Sequence, residues 1–305
     1  MTAKKREKRL KKQHAARCDD ILARLAAVSE GYDMVTFLND HKIEICFEKD
    51  ALFEAASSLT IDRIENGKYI YVGTKIILNE SLHDDNIAQA LVHEAQHMRH
   101  HMNDLGNPDM LLSLEDHQLF RAVQEADAQA AAIDVTFKLK LAGDAGPYEK
   151  TAAVGYEEMC RAYEAAYEAD PQSIYDGRAK RAAFDAWFTK PSRVAHYDHD
   201  TENLHEKIIE NLCAKSKEHG LSAGALENDW VERIGGLSDV NYLHLPGQSD
   251  PLSTARATLT ETRKEIAKIA AEKQAEKTAN DNEKPAAALE NNPQPKSPPP
   301  PSQNL

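Results

Sequence analysis

The chain has 305 residues, of which 41% are hydrophobic and 29% charged, and its formal net charge at pH 7 is −13. No uninterrupted apolar run approaches the roughly 20 residues that cross a bilayer, and no apolar stretch of the signal-peptide kind follows the basic N-terminus. We therefore predict neither a membrane-spanning nor a conventionally secreted protein. The acidic body is expected to repel nucleic acid and anionic membranes, so neither is a predicted partner.

The four cysteines lie far apart in the chain and form no closely spaced pair. They are Cys18, Cys46, Cys160 and Cys213. This pattern favours reduced thiols over a disulfide framework or a zinc–thiolate site. Because reduced thiols are typical of the cytoplasm, the predicted localisation is cytoplasmic.

The two ends differ from the middle of the chain in composition. Residues 1–14 form a basic arm and residues 280–305 a proline-rich tail. Neither segment can bury enough apolar surface to offset chain entropy, so both are expected to be disordered. Residues 17–245 are the predicted folded domain, and residues 253–279 have the composition of a single exposed helix.

The predicted domain begins with a helix and a strand. Apolar residues near Ile21 and Leu25 indicate an amphipathic helix, and residues 42–47 alternate between apolar and polar as a strand does. The next signal is a β-hairpin, because Asn66-Gly67 is the commonest short sequence of a type I′ turn.

The hairpin strands are predicted over residues 61–65 and 68–72, and a further short strand over residues 75–78. We interpret this last strand as a candidate edge strand, along which a peptide substrate would lie extended.

Helices fill the rest of the domain. Asp84 or its neighbour can cap the first one, and Ser113 with Asp116 is a capping-box variant that opens a helix from Leu114 to about Leu141. The pattern of residues 148–244 is also helical. A small β-sheet followed by helices predicts the α+β class, with a mostly helical C-terminal part.

The motif that carries chemistry is His93-Glu94-Ala95-Gln96-His97, an HExxH sequence on the first of these helices. Residues i and i+4 share one helix face, so His93 and His97 can hold one metal ion together. Glu94 lies about 100° around the helix from His93, where it reaches a water on the metal rather than the metal itself. The predicted cofactor is Zn²⁺, with Glu94 as the general base.

A zinc site needs a third protein ligand. The residues after His97 lack the glycine and third histidine of the HExxHxxGxxH metzincins, whereas the next helix offers Glu125 and Asp127. These two residues are about 200° apart around the helix, so both cannot face one metal. Asp127 lies nearer the apolar face of the helix, and Glu125 has the longer reach. Both are candidates on this reasoning.

The order of short strands, HExxH helix and downstream Glu-Ala-Asp-Ala helix resembles the zincin-like, gluzincin-type metallopeptidases of bacteria and phages that are grouped as domains of unknown function. The likeness covers residues 43–132. It implies a zincin core, bound Zn²⁺ and hydrolysis of peptide bonds in a peptide or protein substrate. It also implies that Glu125 is the ligand and that Asp127 orients a zinc-binding histidine. In one departure, Val123 stands where many gluzincins carry a glutamate.

Zincins commonly add a Tyr, His or Arg from a later helix to stabilise the oxyanion of the tetrahedral intermediate. The polar cluster at residues 196–200 and the arginine before it make Tyr197, His196 and Arg193 the candidates for this role. The alternative interpretation is a solvated loop between helices.

The predicted function is that of a zinc-dependent metallopeptidase, in which a zinc-activated water attacks the peptide carbonyl with Glu94 as general base. Two alternatives remain. One is a non-catalytic, metal-stabilised helical module that binds a partner, and the other is a metal-dependent hydrolase of a non-peptide bond, because HExxH fixes the metal chemistry but not the substrate. Zinc content and Glu94-dependent turnover separate the hydrolases from the binding module.

Overall fold

The computed structural model describes residues 3–49, 56–65, 68–106, 112–215 and 229–283. Within these ranges the strands are β1 (Glu44–Glu48), β2 (Ala56–Glu65) and β3 (Lys68–Asn79). The helices are α1 (Ala3–Leu25), α2 (Ser29–Asp40), α3 (Asp84–Met102), α4 (Leu114–Leu141), α5 (Gly146–Thr151), α6 (Glu157–Ala169), α7 (Arg178–Trp187), α8 (Pro191–Lys215), α9 (Trp230–Gly235) and α10 (Pro251–Glu283). The predicted α+β class is confirmed, because the described residues are mostly helical and include a small sheet.

The sheet has the strand order β1-β3-β2, with β3 parallel to β1 and antiparallel to β2. Glu65 at the end of β2 pairs with Lys68 at the start of β3, so the two predicted hairpin strands are adjacent and antiparallel. The predicted turn residues, Asn66 and Gly67, lie outside the described residues.

The prediction of an edge strand at residues 75–78 is wrong. These residues belong to β3, and they pair with residues 44–47 of β1 on one side and residues 56–59 of β2 on the other. Strand order depends on pairing between distant segments, which local alternation does not encode. The edges of the described sheet are β1 and β2.

The helix that carries the HExxH motif begins after His83, whose ring Nδ1 accepts a hydrogen bond from the backbone N–H of Asp85 at 3.3 Å. Asp84 and Asp85 therefore occupy the first turn, where negative charge favours the helix dipole, and do not cap it as predicted. Ile87 and Leu91 are fully buried. They fix the rotation of α3, which packs against α4 and against β2 and β3.

The following helix, α4, has the predicted start and end. The side chain of Ser113 accepts a hydrogen bond from the backbone N–H of Asp116 at 3.1 Å. Helices α3, α5, α7 and α8 all pack against α4, so side chains on every side of it are buried. For this reason Glu125 and Asp127 are both buried, although they point in different directions.

An apolar core supports this helix pair from the side of the sheet. It is built from side chains of α1, α2, β1, β3, α3 and α4, and its buried members include Leu25, Met34, Ile76, Leu78 and Leu91. Burial of aliphatic side chains of this size contributes about 1.5–3 kcal/mol each, which holds α3 in place.

The arm that was predicted to be disordered, residues 1–14, overlaps helix α1. From Ala3 onward it forms the exposed first turns of α1, because Lys, Arg, Glu, Ala and Leu are strong helix formers. Packing against the body begins at His14, before the predicted boundary at residue 17. The Nε2 of His14 lies 3.3 Å from a carboxylate oxygen of Glu80, and its ring centroid lies 5.1 Å from that of Phe47.

The C-terminal helix also differs from its prediction. The predicted exposed helix, residues 253–279, lies within α10, but Ala255, Leu259 and Thr262 in its first turns are only 1%, 2% and 6% exposed. Their burial makes this part of α10 a component of the folded body, which extends beyond the predicted end at residue 245.

The chain divides into two compact units, one of residues Met1–Arg263 and one of residues Lys264–Leu305. The predicted disordered tail, residues 280–305, begins inside α10, and residues 284–305 lie outside the described residues. Among the helices described, none combines the length and the apolar composition that a membrane span needs.

Candidate metal centre

The two histidines of the HExxH motif face each other one turn apart on α3. The Nε2 atoms of His93 and His97 are 3.0 Å apart, and the ring centroids are 4.7 Å apart. Val92 and Ala95, both fully buried, anchor the opposite side of this helix turn. Two neutral imidazoles in this arrangement direct at least one nitrogen lone pair into the space between them.

Glu125 of α4 completes a group of three donors. Its Oε2 lies 3.4 Å from Nε2 of His93, its Oε1 lies 3.5 Å from Nε2 of His97, and the donor atoms all lie within 4.8 Å of one another. Zinc–ligand bonds of about 2.0–2.1 Å place two ligands of a tetrahedron roughly 3.3 Å apart. The observed separations lie on either side of that value, so the three residues fit Zn²⁺.

The charges of the group also suit a cation. Burial alone would raise the pKa of Glu125, but the imidazoles of His97 and His93 hold it well below its ordinary value. Burial alone would lower the pKa of His93, but the Glu125 carboxylate has the larger combined effect, so the pKa of His93 is raised. The centre therefore keeps a buried carboxylate anion next to two imidazoles, which is a typical donor set of zinc enzymes.

Glu94 is not one of the three donors. It is half-buried and lies in the wall of a cavity of about 400 Å³, together with His93, Gln129, Tyr156 and Tyr197. A carboxylate in the same cavity as His93 can exchange a proton with a water molecule there, which is the requirement for a general base.

Helix α8 brings Tyr197 to the centre. Its hydroxyl donates a hydrogen bond to Oε2 of Glu125 at 3.0 Å. Burial, together with the negative charge of Glu125, raises the pKa of Tyr197 well above its ordinary value. Residues 196–200 belong to α8 and are not a loop, because the helix already begins at Pro191, a residue favoured at the first helical position.

The contacts of Arg193 and His196, the other two candidates for stabilising the transition state, are made with residues outside the three donors, and this role stays a prediction. The Arg193 guanidinium is buried, donates to the carbonyl of Gly155 at 2.6 Å and pairs with Glu158 at 2.5 Å. The His196 side chain is 67% exposed and lies on the surface of α8. His196 directly precedes Tyr197 and so points about 100° away from it around α8. Arg193 lies one turn before Tyr197 on the same face, but its guanidinium is held by Gly155 and Glu158.

Arg193 instead supports the cavity wall. Gly155 has φ of +106°, a conformation that side chains disfavour, and this residue interrupts the helical path between α5 and α6. Its carbonyl accepts hydrogen bonds from Arg193 and from Lys190. The interruption places Val154 and Tyr156, on either side of Gly155, in the wall of the cavity.

Asp127 lies away from the three donors. Its Oδ2 accepts a hydrogen bond from Nε2 of Gln96 at 2.7 Å and lies 2.7 Å from Nε2 of His100, and its Oδ1 accepts from the hydroxyl of Tyr242. The predicted roles of Asp127, as the ligand or as the partner of a zinc-binding histidine, are not what these contacts show. A step of two residues turns its side chain about 200° away from that of Glu125.

The cavity wall also contains residues that the sequence did not point to, among them Gln129 and Tyr156. Gln129 lies four residues after Glu125 on α4, and this spacing was a usable signal because it places both on one helix face. Tyr156 owes its position to the interruption at Gly155, for which the sequence carries no comparable signal.

A group of two helical histidines and a buried glutamate, next to a cavity lined by His93 and the further carboxylate of Glu94, defines a candidate metallohydrolase. A family comparison gives the class directly. Residues 3–245 match the family described as "Putative metallopeptidase family (DUF6782)", and the chain belongs to this family. No curated protein and no solved structure matches the chain.

Proposed function

We propose that this protein is a zinc-dependent peptidase with a zincin-like site of the gluzincin type. His93, His97 and Glu125 would hold Zn²⁺, and Glu94 would act as the general base. The observation that carries the proposal is the convergence of the three donor atoms within 4.8 Å, on the HExxH helix and the helix after it. Membership in the metallopeptidase family supports the same assignment.

Each residue of the centre has a separate task in this proposal. Zn²⁺, when bound, supplies a Lewis acid that polarises the scissile carbonyl and lowers the pKa of water. Glu94 takes the proton of the attacking water and delivers it to the amide nitrogen that leaves. Glu125 contributes the negative charge of the donor set, and the hydroxyl of Tyr197 holds its carboxylate in position through the 3.0 Å hydrogen bond.

The sheet offers a place for a peptide or protein substrate. Among the described strands, β2 pairs with β3 alone, so its other edge can accept an extended peptide. β2 also packs against α3, the helix of the HExxH motif. The edge strand expected from the sequence at residues 75–78 is thus replaced, in our proposal, by β2.

The replacement of Glu94 by glutamine tests the proposal. Glutamine keeps the size of the side chain but cannot take a proton, so we expect zinc to stay bound while cleavage of a fluorogenic peptide library falls about 10²–10⁴-fold. Glu149→Gln, at an exposed position on α5, is the matched control and should leave cleavage unchanged.

Two results would contradict the proposal. Wild-type turnover in Glu94→Gln would remove Glu94 from the mechanism. If the wild-type protein binds zinc but cleaves no library peptide, the protein is a metal-binding module and not a peptidase. If it hydrolyses small esters or amides instead of peptides, it is a hydrolase of another bond.

A further inference from the structure

Two buried polar atoms beside the metal centre have no hydrogen-bond partner within the described residues. They are Nδ1 of His93 and Nε2 of Gln129. Both side chains line the same cavity, and Gln129 is only 1% exposed. Buried polar groups in native proteins are nearly always paired, so two unpaired groups that line one cavity point to a hydrogen bond that a different amide orientation would allow.

Gln89 extends the same contact. Its Nε2 faces Oε1 of Gln129 at 3.5 Å, the outer limit of a hydrogen bond. The oxygen and nitrogen of an amide have nearly the same shape, so the orientation of each amide is decided by its hydrogen bonds. When both amides are turned over, Nε2 of Gln129 can donate to Oε1 of Gln89, and Oε1 of Gln129 becomes available as an acceptor for Nδ1 of His93. Each of the two unpaired atoms can then have a partner.

We infer that Gln129 is a positioning residue for the metal centre. Its amide oxygen accepts the Nδ1–H of His93, and Gln89 holds the amide in that orientation. With the proton on Nδ1, the lone pair of Nε2 of His93 points towards His97 and Glu125. A metal-binding imidazole usually donates its other N–H to an acceptor in this way.

The helix spacing makes this arrangement regular. Gln89, His93 and His97 follow at intervals of four residues on α3, and Glu125 and Gln129 do so on α4. The two helices thus carry the donors and their support on facing sides. Asp127, to which the sequence analysis gave the supporting role, is occupied by His100, Gln96 and Tyr242. The inference rests on the proposed zinc site for its functional meaning.

The first test measures zinc affinity by competition with a chromophoric chelator. Gln129→Met keeps the length of the side chain and removes the acceptor, so we expect zinc to bind about 10–100-fold more weakly. Gln129→Glu keeps an acceptor oxygen and should bind zinc at least as tightly as the wild-type protein. Equal affinity of Gln129→Met and wild type, or equal weakening in both variants, would overturn the inference.

A second buried glutamine on the same helix supplies the control. Gln124 is 3% exposed, and its side chain donates to the carbonyl of Leu105 at 2.6 Å and not to an imidazole. Gln124→Met should lower the melting temperature but leave the zinc affinity unchanged. Zinc affinity that falls in Gln124→Met as much as in Gln129→Met would mean that any loss of α4 stability weakens the site, and would contradict a specific role of Gln129.

A second test reads the hydrogen bond itself and does not need zinc. In proton NMR spectra of the metal-free protein, the Nδ1–H of His93 should give a slowly exchanging resonance in the wild type and in Gln129→Glu, and none in Gln129→Met. A resonance that persists in Gln129→Met would overturn the inference. Wild-type protein that shows the resonance but binds no zinc would contradict the proposed function and leave the positioning role intact.

Gln89→Met is the second variant, for use where Gln129→Met does not fold. It removes the group that holds the Gln129 amide, so zinc affinity should fall, but by less than in Gln129→Met, which loses the acceptor itself. Unchanged affinity and an unchanged Nδ1–H resonance in Gln89→Met would contradict the relay from Gln89 through Gln129 to His93.

Discussion

The hydroxyl of Tyr197 donates a hydrogen bond to Oε2 of Glu125 at 3.0 Å, across 72 residues of sequence. Through this bond helix α8 fixes a carboxylate of helix α4 that faces both imidazoles of the HExxH motif. The centre is therefore assembled from three helices, and its carboxylate has a neutral donor that keeps it in one rotamer. Because burial raises the pKa of Tyr197, the phenol remains protonated and able to donate at all physiological pH values.

Removal of that hydroxyl should weaken the centre without unfolding it. We expect Tyr197→Phe to lower zinc affinity or peptide turnover by about 10–100-fold, the usual effect of losing a group that orients a metal ligand. Zinc titration and steady-state cleavage measure the two effects. Tyr175→Phe, at a tyrosine that is 63% exposed, is the control and should change neither. Wild-type values in Tyr197→Phe would show that the hydrogen bond has no part in the centre.

Glu125 and Asp127 should respond differently to substitution. Glu125→Ala removes one of three donors, so tight zinc binding should be lost. Asp127→Asn should leave zinc bound and instead lower the free energy of unfolding by about 1–3 kcal/mol, because the buried partners of Asp127 lose part of their hydrogen bonding. Metal analysis and chemical denaturation of the same samples distinguish the two. If Asp127→Asn bound no zinc and Glu125→Ala bound a full equivalent, Asp127 and not Glu125 would be the zinc ligand.

A second pair of histidines predicts a loss of stability in acid. Burial lowers the pKa of His117 from 6.5 to about 4, and the nearby His205 and Arg121 act in the same direction. The Nδ1 atoms of His117 and His205 are 3.4 Å apart. The unfolded chain takes up a proton at His117 near pH 6.5, whereas the folded chain resists it down to about pH 4. The stability that neutral His117 contributes is therefore fully present above pH 6.5 and is lost as the pH falls from 6.5 to about 4.

His117→Gln should remove this part of the acid sensitivity. We expect the decrease in the free energy of unfolding between pH 7.5 and pH 5 to be smaller in the variant by about 2 kcal/mol. Denaturant titrations at the two pH values give the difference, with His244→Gln, at an exposed position, as control. An identical decrease in His117→Gln and wild type would show that His117 titrates normally in the folded protein.

The start of α10 should be needed for stability. Truncation after Asp250 removes the buried side chains of Ala255 and Leu259, and also Thr262, whose hydroxyl donates to the carbonyl of Phe188 at 2.9 Å. We expect a loss of at least about 2 kcal/mol from the buried leucine and the hydrogen bond. Truncation after Glu283 keeps the whole helix and serves as the control. Equal melting temperatures of the two truncated proteins would contradict the packing of α10.

The sequence predicted the local part of the candidate site. The spacing of His93 and His97 depends only on helical periodicity, and the structure has them facing each other as the motif requires. The sequence did not decide between Glu125 and Asp127, because α4 is packed on all sides. On such a helix the apolar face that a helical-wheel argument needs does not exist.

Features that depend on contacts between distant parts of the chain could not be predicted from the sequence. The position of β3 in the centre of the sheet follows from pairing with both β1 and β2, and a single strand pattern cannot reveal it. The start of α10 looked exposed because its sequence is polar, yet Leu259 is buried against the body. Tyr197 was named as a candidate, but only the fold of α8 separates it from Arg193 and His196.

The most direct test of the account is the metal content of protein purified without a histidine tag. Two imidazoles and one carboxylate at zinc-ligand spacing predict about one zinc per chain in the wild-type protein, as a catalytic site with three protein ligands requires. The same measurement on His93→Ala and His97→Ala should give essentially none. Stoichiometric zinc in both variants, or a wild-type protein that binds no zinc when zinc is supplied, would contradict the proposed centre.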